Sequence, residues 1–360
     1  MNDRYQVDAL LGSGAMGQVW RGHDLKTKRL VALKVLPLEA RQNKEAIALV
    51  EAAFRLVEGL THEGVCKALD LDSDRTFGSF LVMDFIEGLS LSNFVREYRQ
   101  AGRSVNVPEV VRWLLPVAKG LDYAHKHKFR QPDGSQGLGV LHRDVKPENI
   151  LIVRDAQGEF ERSVLIDYGL AAEIRSTVTR VTNTQADMSG TLPYMAPEQV
   201  RGKRSQWDAR TDQYSLAVVA YELLAGHLPF KSDDVGSLQE AIKSETPDPI
   251  SRLPANVNAA LIKGLSKERD QRYPTCRQLL NALSEAVDQK ANAVDVQVQE
   301  GSTRVVATVA RPTLSDEGSQ AGEERDDNGL KMKFVWCPPG QFTMGSPETE
   351  QGRGDDEDQV

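Results

Sequence analysis

The residues His142-Arg143-Asp144-Val145-Lys146-Pro147-Glu148-Asn149 run directly into the apolar tetrad Ile150-Leu151-Ile152-Val153. Such a tetrad reads as a buried strand, so the polar residues before it sit on a loop whose exit is anchored in a core. The loop presents a carboxylate, an ammonium and a side-chain amide in Asp144, Lys146 and Asn149. Asp144 can accept a proton from a hydroxyl. Lys146 can neutralise a phosphoryl oxygen, and Asn149 can offer a carbonyl oxygen to a hard cation. Phosphoryl transfer calls for this combination, because it depends on positioning and charge neutralisation more than on covalent chemistry.

The first part of the chain supplies a second phosphate-seeking feature. Leu11-Gly12-Ser13-Gly14-Ala15-Met16-Gly17-Gln18-Val19 carries three glycines, which let backbone amides approach a phosphate without obstruction by Cβ. The spacing alone also suits a dinucleotide-binding turn, but that turn should open a helix. Here Gln18-Val19-Trp20-Arg21 continues as a strand, which favours a hairpin lid. Val31-Ala32-Leu33-Lys34-Val35-Leu36 is an apolar strand broken by one lysine, which is costly to bury without a partner. It reads either as an edge lysine facing solvent or as a phosphate anchor. Residues 43–60 have apolar positions Ile47, Val50, Phe54 and Val57 at helical spacing. Phe80-Leu81-Val82-Met83-Asp84-Phe85-Ile86 reads as a strand running into a linker, and residues 108–128 as a helix with Pro108 in its first turn. Val164-Leu165-Ile166-Asp167 is a strand that ends in a carboxylate.

The stretch 142–149 resembles the catalytic loop of protein kinases, and Lys146, two places after Asp144, resembles the Ser/Thr-specific branch. Val31-Ala32-Leu33-Lys34 is similar to the family's lysine strand, Asp167-Tyr168-Gly169 to its metal-binding turn, and Met195-Ala196-Pro197-Glu198 to the motif closing its activation segment. The resemblance covers residues 5–285. It implies an α+β, bilobal protein kinase fold with a small β-rich N-lobe and a larger helical C-lobe. It implies ATP and Mg²⁺, with protein substrates. ATP would contact Leu11, Gly12, Ser13, Gly14, Ala15, Met16, Gly17, Val19, Ala32, Lys34, Met83, Asp84, Ile86 and Leu151. Asp144, Lys146 and Lys34 would be catalytic, and Asn149 with Asp167 would hold the metal. Thr191 matches the threonine that contacts the catalytic Asp and Lys, and Arg272 would pair with Glu198. Arg143 would receive a phosphate on the threonine-rich segment carrying Thr177, Thr179, Thr182 and Thr184.

Three features depart from the pattern. The family pairs its strand lysine with a glutamate in the following helix. Counting back from His62, the family's spacing falls on Ala53; Glu51 is the nearest acid and the expected partner of Lys34, and Glu58 lies too late. The connection Lys126–Gly137 is longer than the family's and reads as an exposed polar loop. Tyr168 stands where the family has phenylalanine, with a ring expected to pack toward the helix.

Composition sets the remaining limits. A length of 360 residues allows about two domains at roughly 100–200 residues each. The net charge of -8 argues against a generic nucleic-acid or membrane-surface binder. Cys66, Cys276 and Cys337 are far apart, which fits a reducing cytoplasm without a zinc or disulfide framework. No secretory signal is evident at Met1–Arg4, and the apolar run Tyr214–Ala225 is too short to span a bilayer and carries Glu222. A soluble, cytoplasmic protein is expected. Residues 286–329 turn polar and acidic and read as a flexible linker. Residues 330–360, with Phe334-Val335-Trp336-Cys337-Pro338-Pro339-Gly340-Gln341-Phe342-Thr343-Met344-Gly345-Ser346, resemble the opening of a formylglycine-generating-enzyme-like domain. Some thirty residues cannot bury a core of that type, so a fragment of a longer protein is expected. That family's catalytic cysteines come late, so Cys337 is given no such role. Two other functions stay open: an ATP-binding pseudokinase, for which the displaced helix glutamate speaks, and an accessory module to a C-terminal enzyme.

Overall fold

The computed structural model describes residues 1–14, 17–37, 43–130, 135–168 and 190–297, with the short strands at 324–325 and 334–335. Ala15, Met16, Gly169, the four threonines from Thr177 to Thr184, and Cys337 lie outside the described residues. The chain divides into two units, Met1–Val298 and Gln299–Val360.

The first unit begins with β1 (Tyr5–Gly14), β2 (Gly17–Asp24), β3 (Arg29–Val35), β4 (Ala68–Asp74) and β5 (Gly78–Asp84). They form one antiparallel sheet in the order β1-β2-β3-β5-β4. The period of two along a strand sorts side chains to opposite faces. Val31, Leu33 and Val35 of β3 join Phe80 and Val82 of β5 in a small outer core. Ala32 and Lys34 therefore share the other face with Leu81 and Met83, and the register sets Ala32 opposite Met83 and Lys34 opposite Leu81. This alternation aims Lys34 at the interior.

Helix α1 (Lys44–Val57) crosses between β3 and β4. Asn43 caps it by accepting from the N–H groups of Glu45 and Ala46. Ala46, Val50, Ala53 and Val57, at steps of four and three, form its buried face.

The helical lobe contains α2 (Leu91–Gln100), α3 (Val107–Ala124), α4 (Pro197–Val200), α5 (Ala209–Ala225), α6 (Val235–Ser244), α7 (Ala255–Gly264) and α8 (Cys276–Gln297). α3 starts at a capping box in which Asn106 and Glu109 exchange side-chain-to-backbone hydrogen bonds. α5 is buried on nearly every side from Thr211 to Leu224 and ends at Gly226, whose φ of 80° is left-handed. Strands β6 (Leu89–Ser90), β9 (Ile150–Arg154) and β10 (Phe160–Leu165) make a second sheet in the order β10-β9-β6.

The connection after α3, read as an exposed loop, contains two short strands among its described residues. Lys128–Arg130 (β7) and Gln136–Leu138 (β8) pair antiparallel, with the phenyl ring of Phe129 lying over Gly137. The hairpin is rooted by Val140 N–H on the Ala124 carbonyl and Gly139 N–H on that of His127, and β7 packs beside α1. Leu138 is exposed. In the second unit, β11 (Glu324–Arg325), inside the stretch read as a linker, pairs antiparallel with β12 (Phe334–Val335). Among the described residues no helix is long and apolar enough to cross a membrane.

Candidate active site

A cleft of about 1060 Å³ lies between the five-stranded sheet and the helical lobe. Leu11, Gly12, Ser13, Gly14, Gly17 and Val19 of the β1–β2 hairpin roof it. Ala32 and Lys34 come from β3, and Met83, Asp84 and Ile86 from the end of β5 and its exit. Leu151, Lys146, Asn149 and Asp167 complete the floor. The structure thus gathers all the expected nucleotide and metal residues that it describes around one cavity, with Asp144 buried beside it. Gly17 has a φ of 100°, and a Cβ there would stand 2.0 Å from the Val35 carbonyl oxygen. Only glycine allows that approach of hairpin to strand.

The catalytic loop is held by a network of its own side chains and one distant carboxylate. Asn149 donates from Nδ2 to the Asp144 carbonyl at 2.8 Å and to Asp144 Oδ2 at 3.0 Å. Thr191 donates from Oγ1 to Asp144 Oδ1 at 3.1 Å and accepts from Lys146 Nζ at 2.9 Å. Lys146 Nζ stands 3.4 Å from Asp144 Oδ2. Beneath them Asp212, buried in the first turn of α5, accepts the N–H groups of His142 and Arg143 at 2.8 Å each and the His125 ring at 2.8 Å. These bonds fix the backbone at Arg143, whose φ of 67° is left-handed and otherwise unfavourable. Burial pushes the Asp212 carboxyl up, but the His125 hydrogen bond, the facing imidazoles and the Arg143 N–H outweigh it, and the net shift is down.

His142 is fully buried. Its Nδ1 accepts the Asp144 N–H at 3.2 Å and its Nε2–H donates to the Ile166 carbonyl at 2.9 Å. Burial holds the ring below the usual imidazole range despite nearby Asp212, so it serves as a neutral spacer tying the loop to the Asp167 turn. Sequence reasoning missed Asp212 as the organiser of the loop; an acid in the first turn of a helix whose later residues are mostly apolar was the available signal. It also missed Cys66, which lines the cleft. The Cys66 thiol donates to the Asp84 carbonyl at 3.4 Å, and burial pushes it up to about 12, so it is no nucleophile at neutral pH.

The partner of Lys34 is not the one expected. Lys34 Nζ lies 2.7 Å from Asp167 Oδ2. Glu51 points away, half exposed, and pairs with Arg55 at 3.8 Å one turn along the helix. The reason is helical phase: two residues correspond to about 200° at ~3.6 residues per turn. With Ala53 on the buried face, Glu51 must face water. Glu51→Gln is therefore expected to leave turnover and ATP requirement unchanged and to cost at most about 0.5 kcal/mol of stability. Steady-state kinetics with a thermal melt checks this, and a fall in turnover would return Glu51 to the site. Tyr168 is buried in the core that the inner face of α1 also joins. Its ring stacks edge-on against His142 at 4.8 Å, and its hydroxyl donates to the Val140 carbonyl at 3.4 Å, at the root of the β7–β8 hairpin.

The site fits a nucleotide with a hard cation. Lys34 Nζ is buried and, apart from the Asp167 ion pair, finds no hydrogen-bond acceptor among the described residues, so its protons suit phosphate oxygens. Among the described residues, and apart from the chain neighbours of each glycine, no atom lies within 4 Å of where Cβ atoms on Gly12 and Gly14 would stand, which leaves room for phosphate against the backbone. Asn149 spends its amide N–H groups on Asp144, so its carbonyl oxygen is left for a cation beside the Asp167 carboxylate.

Comparison with known proteins agrees with this geometry. The family described as protein kinase domain matches residues 5–288. Serine/threonine-protein kinase pkn3 of Myxococcus xanthus is 33% identical over 300 residues, covering 81% of this chain and 51% of that protein. Serine/threonine-protein kinase PknB of Mycolicibacterium smegmatis is 29% identical over 286 residues, covering 78% of this chain and 42% of that protein. The chain thus spans about half the length of these relatives. The crystal structure of the Mycobacterium tuberculosis PknI kinase domain is similar with a TM-score of 0.60 and 25% identity, over 79% of this chain and 96% of that one.

Proposed function

The chain belongs to the protein kinase domain family, and from that premise we propose that it is a serine/threonine protein kinase transferring the ATP γ-phosphate to protein hydroxyls. The observation that carries the reading is the hydrogen bonding of the buried Asp144 and Thr191 to Lys146 and Asn149, which line the floor of a cleft whose opposite wall presents Lys34. Asp144 orients the substrate hydroxyl and takes its proton. Lys146 faces the transferred group and Lys34 the α- and β-phosphates, while Met83 to Ile86 accommodate adenine. Asn149 and Asp167 would hold Mg²⁺, which when bound supplies neutralisation of phosphate charge. Ala15 and Met16 belong to the same glycine-rich loop.

We assign residues 1–285 to the kinase domain, 286–329 to a linker and 330–360 to the opening of a formylglycine-generating-enzyme-like domain. The segment Phe334–Ser346 supports a second reading, in which the kinase is a regulatory module coupled to such a domain. The separated cysteines support a reducing, cytoplasmic setting.

The purified protein, incubated with radiolabelled ATP, Mg²⁺ and a generic basic protein, is expected to label serine or threonine. Nucleotide binding without transfer would favour the pseudokinase. Mass spectrometry after ATP incubation is expected to find phosphate on one or more of Thr177, Thr179, Thr182 and Thr184. Full activity with all four changed to Ala would remove the activation-segment switch.

A further inference from the structure

Helix α1 offers the cleft no acid. Its inner face is Ala46, Val50, Ala53 and Val57, while Glu45 and Glu51, and Glu58 at its C-terminal end, are all exposed. Among the described residues the buried Lys34 ammonium pairs with one carboxylate, Asp167 at 2.7 Å. Asp167 sits at a left-handed φ of 63° with its side chain 20% exposed toward the cleft, whereas that of Lys34 is only 3% exposed. The strained backbone holds the carboxylate between the lysine and the open cavity.

We propose that Asp167 is the working counter-ion of Lys34 in place of a helix glutamate, and that this carboxylate is shared between the ammonium and the divalent cation. Nucleotide and metal would then bind as a coupled pair. This rests on the reading of the cleft as a nucleotide site.

The argument is electrostatic. Before ligands arrive, Asp167 neutralises Lys34, so a metal-free nucleotide meets a lysine already engaged and a carboxylate that repels its phosphates. A cation on the same carboxylate would stand within a few ångströms of the ammonium, where like charges repel. Phosphate oxygens relieve both costs by accepting from the lysine and facing the cation. Each ligand therefore removes a penalty from the other, and such coupling is reciprocal. A helix carboxylate would have held the lysine independently of the metal.

The test is calorimetric binding of ATP in EDTA and in Mg²⁺. Wild type is expected to bind weakly in EDTA and to gain about 5–150-fold with Mg²⁺. Asp167→Asn should bind ATP more tightly than wild type in EDTA and gain nothing from Mg²⁺. Asp167→Ala serves as the second variant, with a thermal melt on each to show that it folds. Removing a negative charge would help phosphate even without the lysine pair, so the cycle is completed with Lys34→Met. The gain in EDTA from Asp167→Asn should differ clearly in size in the Lys34→Met background, and that difference is the coupling between the two side chains. An equal gain in both backgrounds, or no gain at all in the wild-type background, overturns the shared-carboxylate proposal while leaving the nucleotide site standing. Absence of ATP binding by wild type in both conditions overturns the site and the proposal together. Glu51→Gln should match wild type throughout, and metal-dependent loss in that variant also counts against the proposal.

Discussion

Asp144→Asn is expected to bind ATP, to fold, and to lose about 10²–10⁴-fold in phosphoryl transfer, the usual range for a positioned general base. Asp144 is the loop carboxylate that Lys146 and Thr191 contact beside the cleft. Lys146 is a cation, and Asn149 turns its amide N–H groups onto Asp144. Both carboxylate oxygens already accept hydrogen bonds, Oδ1 from Thr191 and Oδ2 from Asn149. These neutral donors fix the orientation of the carboxylate while Lys146, at 3.4 Å, supplies the nearby positive charge. An asparagine in its place keeps the shape but must turn an NH₂ toward one of two donors, so a local rearrangement accompanies the chemical loss. Nucleotide binding measured beside single-turnover kinetics separates the two effects. Turnover at the wild-type level would remove Asp144 from its role.

What the chain disclosed in advance follows from how local each feature is. The loop His142–Asn149 was legible because its chemistry is contiguous and the strand Ile150–Arg154 that positions it follows without a break. Lys34 was legible because an ammonium inside an apolar strand demands a partner. The identity of that partner was not, because it depends on helical phase: Val50, Ala53 and Val57 take the inner face of α1, which turns Glu51 outward. Asp212 lies far along the chain from the loop it organises, and no short pattern ties the two together. The β7–β8 hairpin was hidden for a different reason. The connection around it is polar in sequence and contains Asp133-Gly134, which reads as loop, whereas the two described strands are set by cross-strand register and by Phe129 lying over Gly137. The hydroxyl that sets Tyr168 apart from the family's phenylalanine finds the Val140 carbonyl, a partner that its motif does not name.

Arg272→Ala is expected to destabilise the helical lobe by about 3–5 kcal/mol, because it strands a buried carboxylate. Glu198 and Arg272 form a two-pronged pair, Nη1 to Oε1 and Nη2 to Oε2, each at 2.9 Å, with side chains 2% and 0% exposed. Thr211 also donates to Glu198 Oε1 at 2.9 Å. The remaining guanidinium N–H groups reach the carbonyls of Ser266, Lys267 and Arg210, and its plane lies over the Tyr214 ring at 4.8 Å. One side chain thus joins the helix α4 that follows Ala196, the start of α5 and the loop before α8. Lysine cannot replace it, since a single ammonium cannot supply the planar fork of donors. Thermal or urea unfolding of Arg272→Ala, Arg272→Lys and Glu198→Gln should show large losses for all three. The loss measures the isolation of the surviving partner rather than the net worth of the pair. A double variant with apolar residues of similar volume, Glu198→Met with Arg272→Met, should recover a substantial part of the stability lost by either charge-stranding change. If the single variants melt like wild type, the pair does not anchor the lobe. If the double variant is worse than the sum of both singles, the backbone carbonyl contacts of Arg272 outweigh its partnership with Glu198.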